Sequence, residues 1–315
     1  MPASTRIGFF FAVAANVIWG LFPIYWNLLQ QTPAAELVCH RIVWAFVFSF
    51  AIAATRFHFS SRPVRVALLN ALRNRKTWAM YATAAVLVAF NWLAFLWAVT
   101  HDQVLLSSLG YYINPLFNVL LGVVVLGERL PPGQWVAIAL ASIGVTVMAS
   151  ATGQIPWVSL VMASSFAGYA LIKKQVKLDA MNGLTVETTV LILPTLMYLA
   201  TVYNQGGGVF GKGNTTIDLL LILGGFLTLV PLALFSAATQ RVPLSVIGVL
   251  QFVGPTLQFA VGAFYFGEPL SQFRLVGFAF VWTGVTVFLL SRQRQIDHRS
   301  GHDQASASGS GIRPR

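Results

Sequence analysis

Apart from Glu36 at its start, an apolar stretch at residues 35–55 holds one charged residue, Arg41. If this stretch crosses a membrane as a helix, Arg41 is about six residues, or about 9 Å, below the surface. Charges in such positions usually face the protein interior or a water-filled cavity, although an arginine at this depth can also extend to the lipid headgroups. We favour a binding role for Arg41. His40 points about 100° away around the helix and is interpreted as a packed polar residue.

A polar helical face recurs in two apolar stretches that are 140 positions apart. Residues three or four apart are neighbours on a helix, and the polar residues of the first stretch follow this spacing. A polar face that occurs twice is hard to explain by contact with lipid, so we predict that it lines a solute cavity. Its members are Tyr111, Asn114 and Asn118, with Gln251 and Gln258 at the positions equivalent to Tyr111 and Asn118.

Asn91 and Trp92 lie in the middle of a further apolar stretch, residues 78–99. An asparagine in hydrocarbon needs a hydrogen-bond partner on a neighbouring helix or on a ligand, and both alternatives remain open for Asn91. A tryptophan such as Trp92 more often packs than binds. Both residues are candidates for the substrate-binding site.

Two prolines and two glutamates also occupy equivalent positions in the two stretches. Pro115 and Pro255 each remove a backbone hydrogen bond within an apolar helix, which favours a kink or hinge. A pivot for alternating access and static helix packing are equally good interpretations of these prolines. Glu128 and Glu268 each follow a glycine, and we expect them to cap or brace a helix end rather than bind substrate.

Several kinds of chemistry lack the residues that they need. None of the nine Asp and Glu residues lies at the centre of an apolar stretch, so the sequence offers no acidic proton relay. Residues 211–213 (GKG) lack the spacing of a phosphate-binding loop, which excludes ATP-driven transport. The single cysteine, Cys39, excludes an internal disulfide and a CxxC metal site. No cofactor is expected.

The elements that carry the candidate residues are predicted to be membrane helices. The chain has 315 residues, 57% hydrophobic and 9% charged, whereas soluble proteins carry about 25% charged residues. Many of its apolar runs are long enough to cross about 30 Å of hydrocarbon. A basic, amphipathic segment, residues 56–76, is expected to lie on the membrane surface. The predicted spans are residues 7–28, 35–55, 78–99, 104–126, 134–151, 157–173, 184–203, 217–238, 244–266 and 273–290.

The net charge of +11 is explained by orientation in the membrane rather than by nucleic-acid binding. Ten spans place seventeen Lys and Arg residues on the side of the termini and only Lys212 and Arg274 on the other. Positively charged loops stay in the cytoplasm. The sequence therefore predicts a multi-pass inner-membrane protein with both termini cytoplasmic. Its expected partners are a small-molecule substrate and the lipid bilayer, and the oligomeric state is left open.

The chain contains an internal repeat. Residues 115–147 match residues 255–287 at eleven positions without a gap, where chance among apolar segments would give about three. The copies are five spans apart, an odd number, so they cross the membrane in opposite directions. We predict an all-α polytopic membrane protein of ten transmembrane helices in two inverted five-helix repeats, an arrangement characteristic of secondary transporters. The repeats are residues 7–151 and 156–290, and a disordered basic cytoplasmic tail, residues 291–315, follows.

Several short motifs resemble those of a known family. They are Ile18-Trp19-Gly20, His40-Arg41, Asn91-Trp92, GYYINP at 110–115 and LGER at 126–129. Together they resemble the RarD branch of the EamA-type permeases, in the drug/metabolite transporter superfamily, over nearly the whole chain except the tail. The resemblance implies a ten-helix inner-membrane carrier with two EamA repeats and a central cavity lined mainly by spans three, four, eight and nine.

The leading functional hypothesis is a secondary carrier for a small polar or amphipathic metabolite. A lining of aromatic and amide side chains suits a compound with a flat apolar part and hydrogen-bonding groups. A broad drug exporter is the alternative within transport. An intramembrane lipid-modifying enzyme is the alternative from another class. It ranks low because the histidines are scattered and no acid pair is expected to be buried in one cavity.

Overall fold

The protein is helical throughout the part of the chain that the structure describes. The computed structural model describes residues 3–101, 103–151, 153, 155–267 and 271–309, with side chains for all of these except residues 104, 105 and 294–309. The helices are α1 Ala3–Asn27, α2 Ala34–Phe59, α3 Arg62–Arg73, α4 Arg75–Thr100, α5 Val104–Val124, α6 Pro132–Ser150, α7 Trp157–Gln175, α8 Ala180–Asn204, α9 Thr215–Thr239, α10 Leu244–Gln251, α11 Val253–Ala260 and α12 Gln272–Gly309.

Helices cover the ten predicted spans, with bounds within a few residues of those expected except at the end of α12. Among the described residues, eight helical segments are long and apolar enough to cross a membrane, and α5 and α7 are not in that group. A multi-pass, all-helical membrane protein is therefore confirmed, whereas the count of ten spans stays a prediction. The amphipathic segment forms α3, of which no residue is buried.

Glycines allow helices to cross closely at two places. A Cβ atom added to Gly225 of α9 would lie only 2.2 Å from the Cβ atom of Trp44 in α2. A Cβ atom added to Gly144 of α6 would lie 2.4 Å from the carbonyl oxygen of Gly277 in α12. Small residues let helix backbones approach in this way within membranes. The first crossing matters for function because it brings α9 against the helix that carries Arg41.

The helix that carries Pro255 is interrupted. The predicted span at residues 244–266 consists of α10, α11 and a π-helical turn at Val261–Tyr265, with the break at Phe252. Pro255 has no N–H group to donate to the carbonyl of Gln251, four residues earlier, which weakens the helix at this point. By contrast, α5 runs without interruption through Pro115. Movement at either proline stays a prediction.

Contacts between helix termini define two ends of the bundle. At the first, here called the loop end, the start of α2 contacts the segment 205–214 between α8 and α9, where the Val209 amide donates to Glu36 over 2.8 Å. At the second, here called the Glu128 end, Lys174 of α7 donates to the carbonyl of Val242 over 2.6 Å. The charge distribution predicts that the Glu128 end is cytoplasmic.

Lys173 differs from its expected place in a basic loop. It lies within α7 with a fully buried side chain, and its Nζ is 2.6 Å from Oε1 of Glu187 in α8. The hydroxyl of Tyr169 donates to the other oxygen of that carboxylate over 3.2 Å. The Lys173 ammonium can be buried because the Glu187 carboxylate is its partner. Neither the residue types nor their positions along the chain indicated this pairing.

The last helix continues beyond the predicted tail boundary. Its backbone is helical to Gly309, whereas disorder is expected from residue 291 onwards. Extension of an existing helix requires no new nucleation, which is the costly step in helix formation. Residues 310–315 lie outside the described part, and disorder of the tail stays a prediction.

Candidate substrate-binding site

Arg41 is held by a neighbouring helix rather than directed to the end of the bundle. It is half-buried in α2, and its Nε donates a hydrogen bond to Oγ1 of Thr228 in α9 over 2.9 Å. The side chain of Thr228 is buried, and its hydroxyl donates to the carbonyl of Gly224 over 2.8 Å. This second bond fixes the acceptor, so the guanidinium has a defined position.

Two tryptophans flank the guanidinium of Arg41. Its Cζ lies 4.9 Å from the ring centroid of Trp26 in α1 and 5.1 Å from that of Trp92 in α4. A cation within about 6 Å of an aromatic ring is attracted to it by about 0.5 to 2 kcal/mol. Both tryptophans are half-buried. The rings therefore hold the cation while the guanidinium N–H groups other than Nε–H stay available to another partner.

Tyr111 of α5 completes the set of side chains around Arg41, with which it interacts electrostatically. Side chains from α1, α2, α4, α5 and α9 thus meet at one point. The ion pairs of the described residues are His40–Glu36, Arg56–Asp179 and Lys173–Glu187, and none of them includes Arg41. A half-buried cation without a carboxylate partner in this part of the chain suits the binding of an anionic group.

Asn118 and Gln251, by contrast, contact each other. Nδ2 of Asn118 donates to Oε1 of Gln251, and both side chains are buried, so the bond joins α5 to α10. Asn114 is buried as well, and its Oδ1 has no hydrogen-bond partner among the described residues. The contact between Asn118 and Gln251 is the interhelical alternative for polar residues in a span. A binding role for these three residues stays a prediction.

Asn91 and Gln258 also bond to neighbouring helices. Nδ2 of Asn91 donates to the carbonyl of Met162 in α7 over 2.8 Å. Nε2 of Gln258 donates to the carbonyl of Trp19 in α1 over 3.1 Å. Of the predicted site residues, the structure brings Arg41, Trp92 and Tyr111 together, and it places Asn91, Asn118, Gln251 and Gln258 at contacts between helices.

Two side chains at the site were missed by sequence reasoning. Trp26 follows Tyr25 near the end of α1, and this aromatic pair resembles the interfacial aromatic residues of many membrane proteins. Thr228 is one of many threonines in apolar helices, where a hydroxyl usually bonds to its own backbone. No local signal distinguishes it, because its contact with Arg41 joins residues 187 positions apart.

An aromatic cluster fills the bundle on the Glu128 side of Arg41. Phe235 is fully buried in α9, seven residues beyond Thr228, which corresponds to about 10 Å along the helix. Its ring centroid is 5.5 Å from that of Trp19 and 5.3 Å from that of Phe166. These side chains from α1, α7 and α9 separate the Arg41 region from the Glu128 end.

Glu128 caps a helix of the other half of the chain. Its Oε1 accepts from the amide of Leu244 over 2.6 Å and its Oε2 from the amide of Ser245 over 2.9 Å. These amides belong to the first turn of α10, where unpaired N–H groups favour a negative charge. Gly127, with a φ of 66°, provides the turn that aims the carboxylate. The prediction that Glu128 caps or braces a helix end is confirmed, but the helix is α10 and not its own, and Glu268 lies outside the described residues.

Comparison with known proteins gives consistent matches. The EamA-like transporter family matches residues 6–150. Protein RarD of Streptomyces exfoliatus is 40% identical over 90% of this chain and 88% of its own. An uncharacterized transporter of Pseudomonas aeruginosa is 39% identical over 93% of this chain and 97% of its own. A solved crystal structure superposes with a TM-score of 0.67 at 16% identity, covering 92% of this chain and 99% of the other, which shows likeness of fold alone.

Proposed function

The chain belongs to the EamA-like transporter family, in its RarD branch, and on this premise we propose that it is a secondary transporter that moves a small amphipathic metabolite across the inner membrane by alternating access. The relatives are named as transporters, and we propose no catalytic step. The substrate is proposed to carry an anionic group, such as a carboxylate, together with a flat apolar part.

The observation that carries this proposal is the environment of Arg41. Its guanidinium is half-buried between two indole rings and has no carboxylate partner among the described residues. Guanidinium and carboxylate groups form paired, charge-assisted hydrogen bonds. The rings of Trp26, Trp92 and Tyr111 offer apolar surface to the rest of the molecule. A metabolite with both features would use every group at the site.

Alternating access is supported by the way in which the helices pack. The inverted repeat pairs α1 with α7, α2 with α8, α4 with α9, and α5 with α10–α11. If each helix is replaced by its repeat partner, the contact between α1 and α9 becomes a contact between α7 and α4. In the same way, α2–α9 becomes α8–α4, and α1–α11 becomes α7–α5. The chain makes all six of these contacts. Two halves that pack in equivalent ways can exchange conformations about a shared site, which is the basis of transport by inverted repeats.

Orientation in the membrane gives a prediction that is independent of substrate. In a Cys39→Ala background, a cysteine introduced at Lys212 should react with a membrane-impermeant maleimide in intact cells. A cysteine introduced at Arg129 should react only after permeabilisation, because the basic loops are expected in the cytoplasm. Labelling is read on gels after purification. The reverse pattern at the two positions would overturn the proposed orientation.

Counterflow in proteoliposomes tests the transport function itself. Vesicles that contain the protein and an unlabelled aromatic carboxylate should accumulate the same labelled compound transiently, whereas protein-free vesicles should not. The panel pairs each carboxylate with its uncharged methyl ester, which keeps the flat part and removes the anion. We expect counterflow with at least one carboxylate and at least about tenfold less with its ester, because a lost charge-assisted bond at this site is worth about 1.5–3 kcal/mol. Counterflow restricted to cationic or neutral drugs would instead favour the drug-exporter alternative.

A further inference from the structure

Two buried titratable side chains at the loop end are not used by the proposed binding site. Glu36 and His40 lie one turn apart on α2, with 1% and 6% of their surfaces exposed. Nε2 of His40 is 3.5 Å from Oε1 of Glu36, without the geometry of a hydrogen bond. Oε2 of Glu36 and both ring nitrogens of His40 have no hydrogen-bond partner among the described residues. Buried polar atoms without partners are costly, and each calls for an explanation such as a functional role or a bound water or ion.

The segment 205–214, here called the cover loop, closes over this pair. The amide of Val209 donates to Oε1 of Glu36 over 2.8 Å. The hydroxyl of Tyr203, at the end of α8, lies 3.2 Å from the same oxygen and 3.1 Å from the carbonyl oxygen of Phe210, and its one proton is shared between them. The ring of Phe210 lies 5.1 Å from that of His40. The cover loop is therefore attached to α2 through one carboxylate oxygen.

The charged groups that act on His40 are carboxylates. Glu36 on its own helix and Asp218 on α9 both interact with it electrostatically. Asp218 in turn accepts from the Gly211 amide of the cover loop over 2.8 Å. The other titratable groups beside Glu36 are the Tyr203 phenol and the Cys39 thiol. Burial of the imidazole disfavours its charged form, whereas the two carboxylates that face it favour that form and give an added proton a partner.

We propose that Glu36 and His40 form a proton-binding site that controls docking of the cover loop. The free imidazole nitrogen takes a proton from hydronium, water is released, and the ring becomes an imidazolium with two N–H donors. Closing the 3.5 Å separation to a charge-assisted hydrogen bond engages Oε1 of Glu36, the atom that accepts from Tyr203 and Val209. The Val209 amide of the cover loop then loses part of its acceptor, and the cover loop is released.

The proton-binding site is argued independently of transport, and only its effect on substrate entry rests on the proposed transport function. Arg41 follows His40 directly on α2, so release of the cover loop changes access to the loop end of the substrate site. A proton bound at the pair would thus be linked to substrate entry from that end. The sequence offered no carboxylate at the centre of a span for this role, whereas the structure supplies a buried pair near the end of one.

Proton counting and hydrogen exchange test the site without a substrate. Purified protein in nanodiscs is shifted from pH 8 to pH 5.5, and proton uptake is measured with an indicator dye. We expect the wild type to take up more protons than His40→Gln, by up to one per molecule. Protection of the cover-loop amides, corrected for intrinsic exchange rates, should fall about tenfold in the wild type at pH 5.5, as expected for loss of one charge-assisted bond.

The controls separate this site from other histidines. His58→Gln removes an exposed histidine at the opposite end of α2 and should retain the pH-dependent protection of the cover loop. Protection in His40→Gln and Glu36→Gln should be independent of pH, and unchanged thermal stability of His40→Gln would show that it is folded. Equal proton uptake by wild type and His40→Gln, or pH-independent protection in the wild type, would overturn the proposal. Absence of counterflow in the wild type would overturn the proposed transport function alone.

Discussion

Replacement of Arg41 with alanine is expected to abolish transport, with a loss of at least about 100-fold in initial rate at equal protein content. Truncating one partner of a desolvated charge pair costs about 2 to 5 kcal/mol, and alanine removes the cation that lies between Trp26 and Trp92. The measurement is counterflow in proteoliposomes. Arg56→Ala is the matched control, because Arg56 lies on the same helix with an exposed side chain and should transport at the wild-type rate.

Lysine at position 41 should restore only part of the rate. An ammonium keeps the charge but lacks the planar fork of donors that can bind Thr228 and an anion at the same time, and it stacks less well between two indole rings. A side chain that only extends to lipid headgroups needs no more than a long stem and a charge. A fully active Arg41→Lys variant would therefore remove Arg41 from the binding site.

Protection by ligand gives a second measurement at the same position. In the Cys39→Ala background, the compound that shows counterflow should slow modification of an Arg41→Cys variant by a small methanethiosulfonate reagent. The control is the same cysteine in the presence of the methyl ester, which should not protect. Equal modification rates with and without the carboxylate would place position 41 away from the substrate path.

Loss of either partner of the Lys173–Glu187 pair is expected to cause the largest change in stability. The two side chains are 0% and 3% exposed, and Nζ of Lys173 also lies 5.3 Å from the ring of Tyr81. Removing one member of a buried ion pair leaves an uncompensated charge, which typically costs about 3 to 5 kcal/mol. Lys173→Met and Glu187→Leu should each lower the free energy of unfolding by that amount, measured by denaturation in mixed micelles.

The double variant tests the cause of this destabilisation. When both charges are replaced by apolar groups, no charge remains buried, so Lys173→Met with Glu187→Leu should be more stable than either single variant. Arg56→Met is the control for an exposed pair, since Arg56 and Asp179 are 59% and 46% exposed and such pairs contribute about 0 to 1 kcal/mol. A double variant as unstable as the sum of the single variants would show that shape, and not charge, is responsible.

The sequence alone determined the helical class and the positions of the helices. Long apolar runs predict membrane helices because every backbone polar group in lipid must be satisfied within the segment itself. The place of Glu128 directly after Gly127, at the end of an apolar run, predicted that it braces a helix end, but not that this helix is α10. Each of these inferences depends on residues that are near one another in the chain.

Only the tertiary structure decided which polar side chains meet. Several of these helices are apolar on all sides, so their sequences do not reveal how each is rotated about its axis, and one residue changes the direction of a side chain by about 100°. Asn118 and Gln251 were assigned to one recurring face, yet they bond to each other across two helices. Arg41 bonds to Thr228 on another helix, and Glu36 accepts from Val209 in the cover loop; each pair is separated by more than half of the chain. Such partners depend on packing between distant segments, which no local pattern in this chain specifies.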